Sequence, residues 1–211
     1  MIDRQLFEAT SVEAAPLLLG AVLRHDTAEG TVAVRITEVE AYLGEADPGS
    51  HAFRGPGKRN AVMYGEPGHL YTYFTYGMHV CANVTCSPVG TASGVLLRGA
   101  EVVDGIELAR HRRQTSKTDA DLARGPARLV VALGITLADG GADLALPPFE
   151  LTLPGNPLPF ATGPRTGVSG AGGSADYPWR FWVPGERSVS PYKAHLPKSR
   201  LARPARPARP A

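Results

Sequence analysis

Cysteine, long apolar runs and a leader segment are what the chain is short of. Its 211 residues hold two cysteines, Cys81 and Cys86, on what reads as one strand and its exit. Two thiols so placed make neither a disulfide framework nor a zinc quartet, and an intracellular location (cytoplasm or nucleoid) is the expectation. No apolar stretch approaches the ~18–20 residues of a membrane span, so no membrane partner is expected. The opening Met1-Ile2-Asp3-Arg4 has neither the basic start nor the apolar stretch of a signal peptide. Hydrophobic residues make up 43% and charged residues 20%, which excludes a disordered chain and suits one domain with its own core.

Acidic residues are absent from 193–211, which hold six Lys/Arg, so residues 1–192 carry 16 basic against 20 acidic groups, or −4. A globally basic nucleic-acid binder is therefore excluded. Residues 48–100 depart from that acidic body: Arg54, Lys58, Arg59 and Arg98 face Glu66 alone, a local +3.

Thr10-Ser11-Val12-Glu13 has capping-box spacing and predicts a short helix through Leu19. Period-two patterning over Ala21–Arg24 and Thr31–Tyr42, around Asp26–Gly30, predicts a hairpin. His69–Tyr76 and Met78–Thr85 predict a second one around Tyr76-Gly77, and Gly94–Arg98 a fifth strand. Two helices follow, one from the capping-box spacing Asp104-Gly105-Ile106-Glu107 to about Arg113, the other between Pro126 and Gly134. Short strands are expected at Leu144–Leu146, Glu150–Leu153 and Arg180–Val183. Residues 154–174, with six glycines and four prolines, read as an irregular loop. The Ala-Arg-Pro repeats of 202–210 read as an extended arm outside the domain.

Chemistry concentrates in two segments. Strict alternation along Thr31–Tyr42 places Glu38, Glu40 and Tyr42 on the face of Val32, Val34 and Ile36. A face that begins apolar then ends in two carboxylates and a phenol, which suits a general base at a pocket mouth. The same residues read blandly as a strand emerging into solvent, and Glu38, Glu40, Asp47 and His51 allow a metal site, although their spacing matches no tight ligand rule. In Tyr71–Asn83, Tyr71 and Tyr73 share one strand face, and Tyr71 and Phe74 read as core. Gly77 puts Tyr76 at a hairpin tip, where an aromatic suits a wedge between base pairs.

These residues also carry a resemblance. Glu38–Gly44, Asp47, Ser50-His51-Ala52 and Arg59-Asn60 resemble the first signature of the alkyladenine (3-methyladenine) DNA glycosylase family. The similarity continues in order through Met63, Pro67-Gly68, Leu70–Tyr73, Tyr76-Gly77-Met78, Cys81–Val84, Val95–Arg98, Gly125–Leu129, Pro164–Val168 and Trp179-Arg180-Phe181. It covers about residues 10–190. Gly94 stands where relatives often carry a larger residue, and Gly99-Ala100-Glu101-Val102 replaces a more usual Ala-Leu-Glu-Pro, which bears on substrate range.

The resemblance implies an α+β fold: one domain, residues 1–192, with a curved, mostly antiparallel sheet, a protruding hairpin and flanking helices. It implies that Glu40 activates the attacking water, which Arg98 and the backbone near Thr166 help to hold. Tyr42, His51 and Tyr73 would sandwich a flipped base, the backbone around Ala41 and His51 would contact its edge, and Asn83 would crowd the amino group of guanine. Tyr76 would be the wedge, and Arg54, Lys58 and Arg59 the phosphate contacts. The implied activity is monofunctional removal of alkylated or deaminated purines from double-stranded DNA. It calls for no cofactor, no metal and no obligate protein partner, and a monomer is expected. The alternatives are a nucleic-acid-binding module without catalysis and a metal-dependent phosphodiesterase.

Overall fold

The Thr10 to Glu13 spacing closes a capping box in the computed structural model, which describes residues 3–75 and 77–195. The Thr10 hydroxyl accepts from the Glu13 amide while the Glu13 carboxylate accepts from the Thr10 amide. Helix α1 (Ser11–Ala14) starts there and tightens into a 3₁₀ turn, Ala15–Leu18, where Pro16 enters. Strands β1 (Val22–Thr27) and β2 (Gly30–Tyr42) form the first hairpin, and β3 (Leu70–Thr75) and β4 (His79–Cys86) the second. Strand β5 (Ser93–Asp104) runs well past Arg98 because it pairs with β2 from Ala33 to Tyr42. Helices α2 (Ile106–Arg112) and α3 (Pro126–Leu133) follow, then β6 (Phe149–Thr152), β7 (Ala161–Gly163) and β8 (Arg180–Trp182).

The strands make one curled antiparallel sheet in the order β3-β4-β5-β2-β1-β6, giving the α+β single-domain architecture expected. β2 is long enough to be shared: β1 pairs with its first half, and β8, carrying β7, pairs with Glu38–Glu40 on its second. The core lies between the sheet and α3, which buries Leu129, Val130, Ala132 and Leu133 at helical spacing. Pro126 opens α3 and Gly134 closes it, as their positions predict. Among the described residues no helix is long and apolar enough to cross a membrane.

Four expectations are corrected. The Asp104 side chain does not cap α2. It accepts from the adjacent Gly105 amide, and Gly105 itself is the N-cap at φ +70°, packed so closely on Thr31 that a Cβ would lie 2.0 Å from its carbonyl oxygen. Leu144–Leu146 is a turn: the Asp143 carboxylate takes the Ala145 amide and the Asp143 carbonyl takes that of Leu146. The Gly/Pro-rich segment 154–174 includes β7, held by pairing with β8. Phe74 is 48% exposed rather than core, because it lies beside the end of β3, where the hairpin runs past the core and Met78 and His79 are exposed as well. Tyr76 and residues 196–211 of the basic arm lie outside the described residues.

Candidate active site

Unbroken alternation does not hold along β2. Its pairing with β5 slips between Ile36 and Glu38 and again before Val39, and the buried apolar set passes from Val32, Val34 and Ile36 to Val39 and Ala41. The bulge keeps every apolar residue of the strand in the core and turns Glu38, Glu40 and Tyr42 to the other side. It falls where β8 replaces β1 at the edge of β2: the Thr37 carbonyl accepts from the Val183 amide, and the Thr37 hydroxyl lies 2.9 Å from that of Ser188. Glu40 and Tyr42 therefore reach a site, and Glu38 lies behind it, because the sheet changes partners there.

That site is a cavity of about 480 Å³, within the range of small-ligand pockets. Glu40, Tyr42, His51, Tyr73, Asn83, Arg98 and Thr166 all line it. Glu40 is fully buried and held by two hydrogen-bond donors and an ion pair. The Thr166 amide donates to Oε1 at 2.7 Å, the Tyr42 hydroxyl to Oε2 at 2.9 Å, and Arg98 Nε stands 3.4 Å from Oε1. Burial, and then the Glu40 charge, raise the Tyr42 phenol well above its ordinary range, so it remains a donor at neutral pH. Burial alone would lower the Arg98 guanidinium; Glu40 and Glu38 outweigh it and raise it.

The His51 ring meets Tyr73 edge-on at 4.5 Å between centroids, and its Nδ1 lies 3.1 Å from the Tyr71 hydroxyl. Desolvation by these neighbours, and then the Arg59 charge, push His51 down to about 4, so the imidazole is neutral at physiological pH. Burial likewise raises Tyr73 and Cys81, leaving a phenol and a thiol in the cavity wall. Asn83 is nearly buried, and its amide donates to the Tyr71 carbonyl at 3.0 Å, which fixes the plane it presents to the cavity.

Ala41 does not reach the cavity. It is fully buried, its amide donates to the Trp179 carbonyl and its carbonyl accepts from Arg165, so Gly49 and Ser50 line the wall beside His51 instead. Arg54, Lys58 and Arg59 are exposed on the β2–β3 connection, with the Arg59 guanidinium 5.5 Å from the Tyr73 ring centre. Buried Asn60 ties this loop together, accepting from the Gly57 amide and donating to the carbonyls of His51 and Gly55.

The carboxylates considered as metal ligands are engaged elsewhere. Asp47 makes a buried bidentate pair with Arg165, and Glu38 accepts from Arg98 and Arg180. Among the described residues no group of three or more His, Cys, Asp or Glu side chains could hold a metal ion.

Arg165 has a part the sequence reading missed. Its guanidinium lies 4.5 Å from the Tyr42 ring centre, and the next residue supplies the amide that holds Glu40. One backbone segment thus supports both the aromatic wall and the carboxylate. The Thr166 hydroxyl is buried without a hydrogen-bond partner among the described residues. The two departures noted in sequence differ structurally. A Cβ at Gly94 would make ordinary contacts, 3.6 Å from Met63 Cε and 3.8 Å from Asn83 Cβ, whereas one at Gly99 would lie 2.7 Å from the Ser188 carbonyl oxygen.

Comparison with known proteins gives one answer. The family model described as methylpurine-DNA glycosylase matches residues 5–187. Three similar proteins each bear the name "Putative 3-methyladenine DNA glycosylase". That of Leifsonia xyli subsp. xyli is 70% identical over 91% of this chain and 92% of its own. That of Streptomyces avermitilis is 51% identical over 94% and 95%, and that of Nocardia farcinica 55% identical over 85% and 86%.

Proposed function

Because the chain belongs to the methylpurine-DNA glycosylase family and is a hydrolytic DNA N-glycosylase, we propose that it removes alkylated and deaminated purines from duplex DNA through a water activated by Glu40. The observation that carries this reading is a carboxylate pinned by two hydrogen-bond donors and the Arg98 ion pair in the wall of a cavity that also presents Tyr42, His51 and Tyr73.

The damaged nucleotide leaves the stack at a cost of a few kcal/mol, least where its pairing is already weak. Stacking on aromatic faces, worth about 1–3 kcal/mol per base, offsets much of that. Tyr76 fills the gap left in the duplex, and Arg54, Lys58 and Arg59 hold phosphates on the rim. Asn83, with its amide plane fixed by Tyr71, crowds the amino group of an undamaged guanine. In the chemical step a water oxygen attacks C1′ of the deoxyribose, its proton passes to Glu40, and the C1′–N9 electron pair leaves with the purine. A 3-methyl- or 7-methylpurine is cationic and leaves as a neutral base. Hypoxanthine and ethenoadenine are neutral and leave after protonation on the ring. Arg98 and the Thr166 backbone position the water.

Among the described residues no lysine lines the cavity to form a Schiff base, so the products are a free base and an abasic site in an unbroken strand. The test is incubation in EDTA with duplexes carrying 3-methyladenine, 7-methylguanine, hypoxanthine or ethenoadenine, with chromatographic identification of the released base. Release with intact strands is expected. Binding without release would favour a non-catalytic module, and strand cleavage abolished by EDTA a metal-dependent phosphodiesterase; either contradicts the proposal.

A further inference from the structure

Glu38 takes no part in the chemistry just described and does not line the cavity, yet it accepts four hydrogen bonds behind it. It is fully buried. Its Oε1 accepts from Arg98 Nε at 2.9 Å, Arg180 Nε at 2.6 Å and the Ser190 hydroxyl at 3.0 Å, and its Oε2 from the Ser190 amide at 2.6 Å. Arg180 in turn donates to the Ser190 carbonyl at 2.7 Å and lies 4.8 Å from the Trp182 ring centre. Gly99 packs against this group and the 188–190 segment together: a Cβ there would lie 2.7 Å from the Ser188 carbonyl oxygen and 3.0 Å from Glu38 Oε2.

The feature that matters is how Arg98 is divided. Its Nε is 2.9 Å from Glu38 but 3.4 Å from Glu40, so its single N–H goes to the carboxylate outside the cavity and Glu40 keeps only the charge attraction. Its two terminal nitrogens make no hydrogen bond among the described residues, and Arg98 lines the cavity. Two carboxylates and two guanidiniums balance in charge, and a buried set of this kind is stable only while each member keeps its partners.

We propose that Glu38 is a positioning residue for base release: by anchoring Arg98 Nε it keeps that guanidinium from closing onto Glu40 and leaves its terminal nitrogens directed to the water and the reacting sugar. Without the anchor, Arg98 moves onto Glu40 as the nearest remaining carboxylate and occupies the oxygen that takes the proton. Arg180, bonded to Glu38 and to the Ser190 backbone, fixes the anchor itself.

This inference rests on the base-release reading, and the two fail separately: absence of release by the unaltered protein refutes the reading, whereas the ratio of variant to unaltered rate tests the anchor. The substitution is Glu38→Gln, which keeps shape and removes charge. Under single-turnover conditions the rate of base release should fall about 10–100-fold, the scale of a displaced catalytic group. The dissociation constant for the lesion duplex should stay within about threefold, since Glu38 touches no bound base. Ser190→Ala is the second variant, removing one bond to Glu38 without altering charge; it should slow release about three- to tenfold, again without weakening binding. A folded Glu38→Gln protein with the unaltered rate overturns the proposal, as does a parallel fall in rate and affinity. Should Glu38→Gln fail to fold, an unaltered rate in Ser190→Ala overturns it.

Discussion

The pair behind the aromatic wall gives the most quantitative expectation. Asp47 and Arg165 are both fully buried, joined by Nη1 to Oδ2 at 2.5 Å and Nη2 to Oδ1 at 2.7 Å. Asp47 also accepts from the Leu43 and Gly49 amides, and Arg165 donates to the carbonyls of Ala41 and Gly172. Asp47→Asn keeps the shape but turns an amide N–H toward a guanidinium N–H and leaves a buried positive charge unbalanced. Breaking one side of such a pair costs about 3–5 kcal/mol, which for a domain of this size lowers Tm by roughly 6–20 °C. Thermal unfolding followed by circular dichroism measures it. The double variant Asp47→Leu with Arg165→Met should melt above either single one, because an apolar pair leaves no orphaned charge. A Tm within about 2 °C of the unaltered protein for Asp47→Asn, or a double variant less stable than both singles, would refute the reasoning.

Other expectations concern pH, salt and the two glycines. His51 is held down to about 4 in the folded chain against 6.5 ordinarily, so the unfolded chain binds more protons between those values. Its contribution to stability is complete above about pH 6.5 and is lost as pH falls toward 4, with a slope below ~1.4 kcal/mol per pH unit because the ring is open to solvent. Urea melts of the protein and of His51→Phe across that window should differ in slope; equal slopes would contradict the assignment. Replacing Arg54 and Lys58 together by Ala should reduce the slope of log affinity for duplex DNA against log salt by about 2, and an unchanged slope would remove them from the phosphate contacts. Gly99→Ala should destabilise by about 1–3 kcal/mol through its clash with the Ser188 carbonyl, whereas Gly94→Ala should stay within about 1 kcal/mol; the reverse order in thermal melts would count against the close approach at Gly99.

What the sequence revealed follows from which interactions are local. The Thr10 capping box, the first hairpin and the Pro126 and Gly134 boundaries of α3 depend on neighbours a few residues away, and all form, although the hairpin strands run on to Thr27 and Gly30 and leave a tighter turn than Asp26–Gly30. Glu40, Tyr42, His51, Tyr73, Asn83, Arg98 and Thr166 do converge on one cavity, although they come from distant parts of the chain; resemblance rather than periodicity pointed to that set. The bulge at Thr37 was not legible, because it answers to β8, far along the chain, taking over the edge of β2. The backbone of Ala41 is taken up by Trp179 and Arg165, partners far along the chain that no local pattern announces. Arg165 sits in a Gly/Pro-rich segment without periodicity, and only its partner Asp47, brought close in the fold, gives it a structural meaning.

The central claim is that the Glu40 carboxylate draws the proton from the attacking water inside this cavity. Single-turnover release of hypoxanthine from duplex DNA, compared between the protein and Glu40→Gln in the presence of EDTA, tests it most directly. The account predicts that the substitution abolishes release while affinity for the lesion duplex is retained; release by Glu40→Gln at the unaltered rate would contradict it.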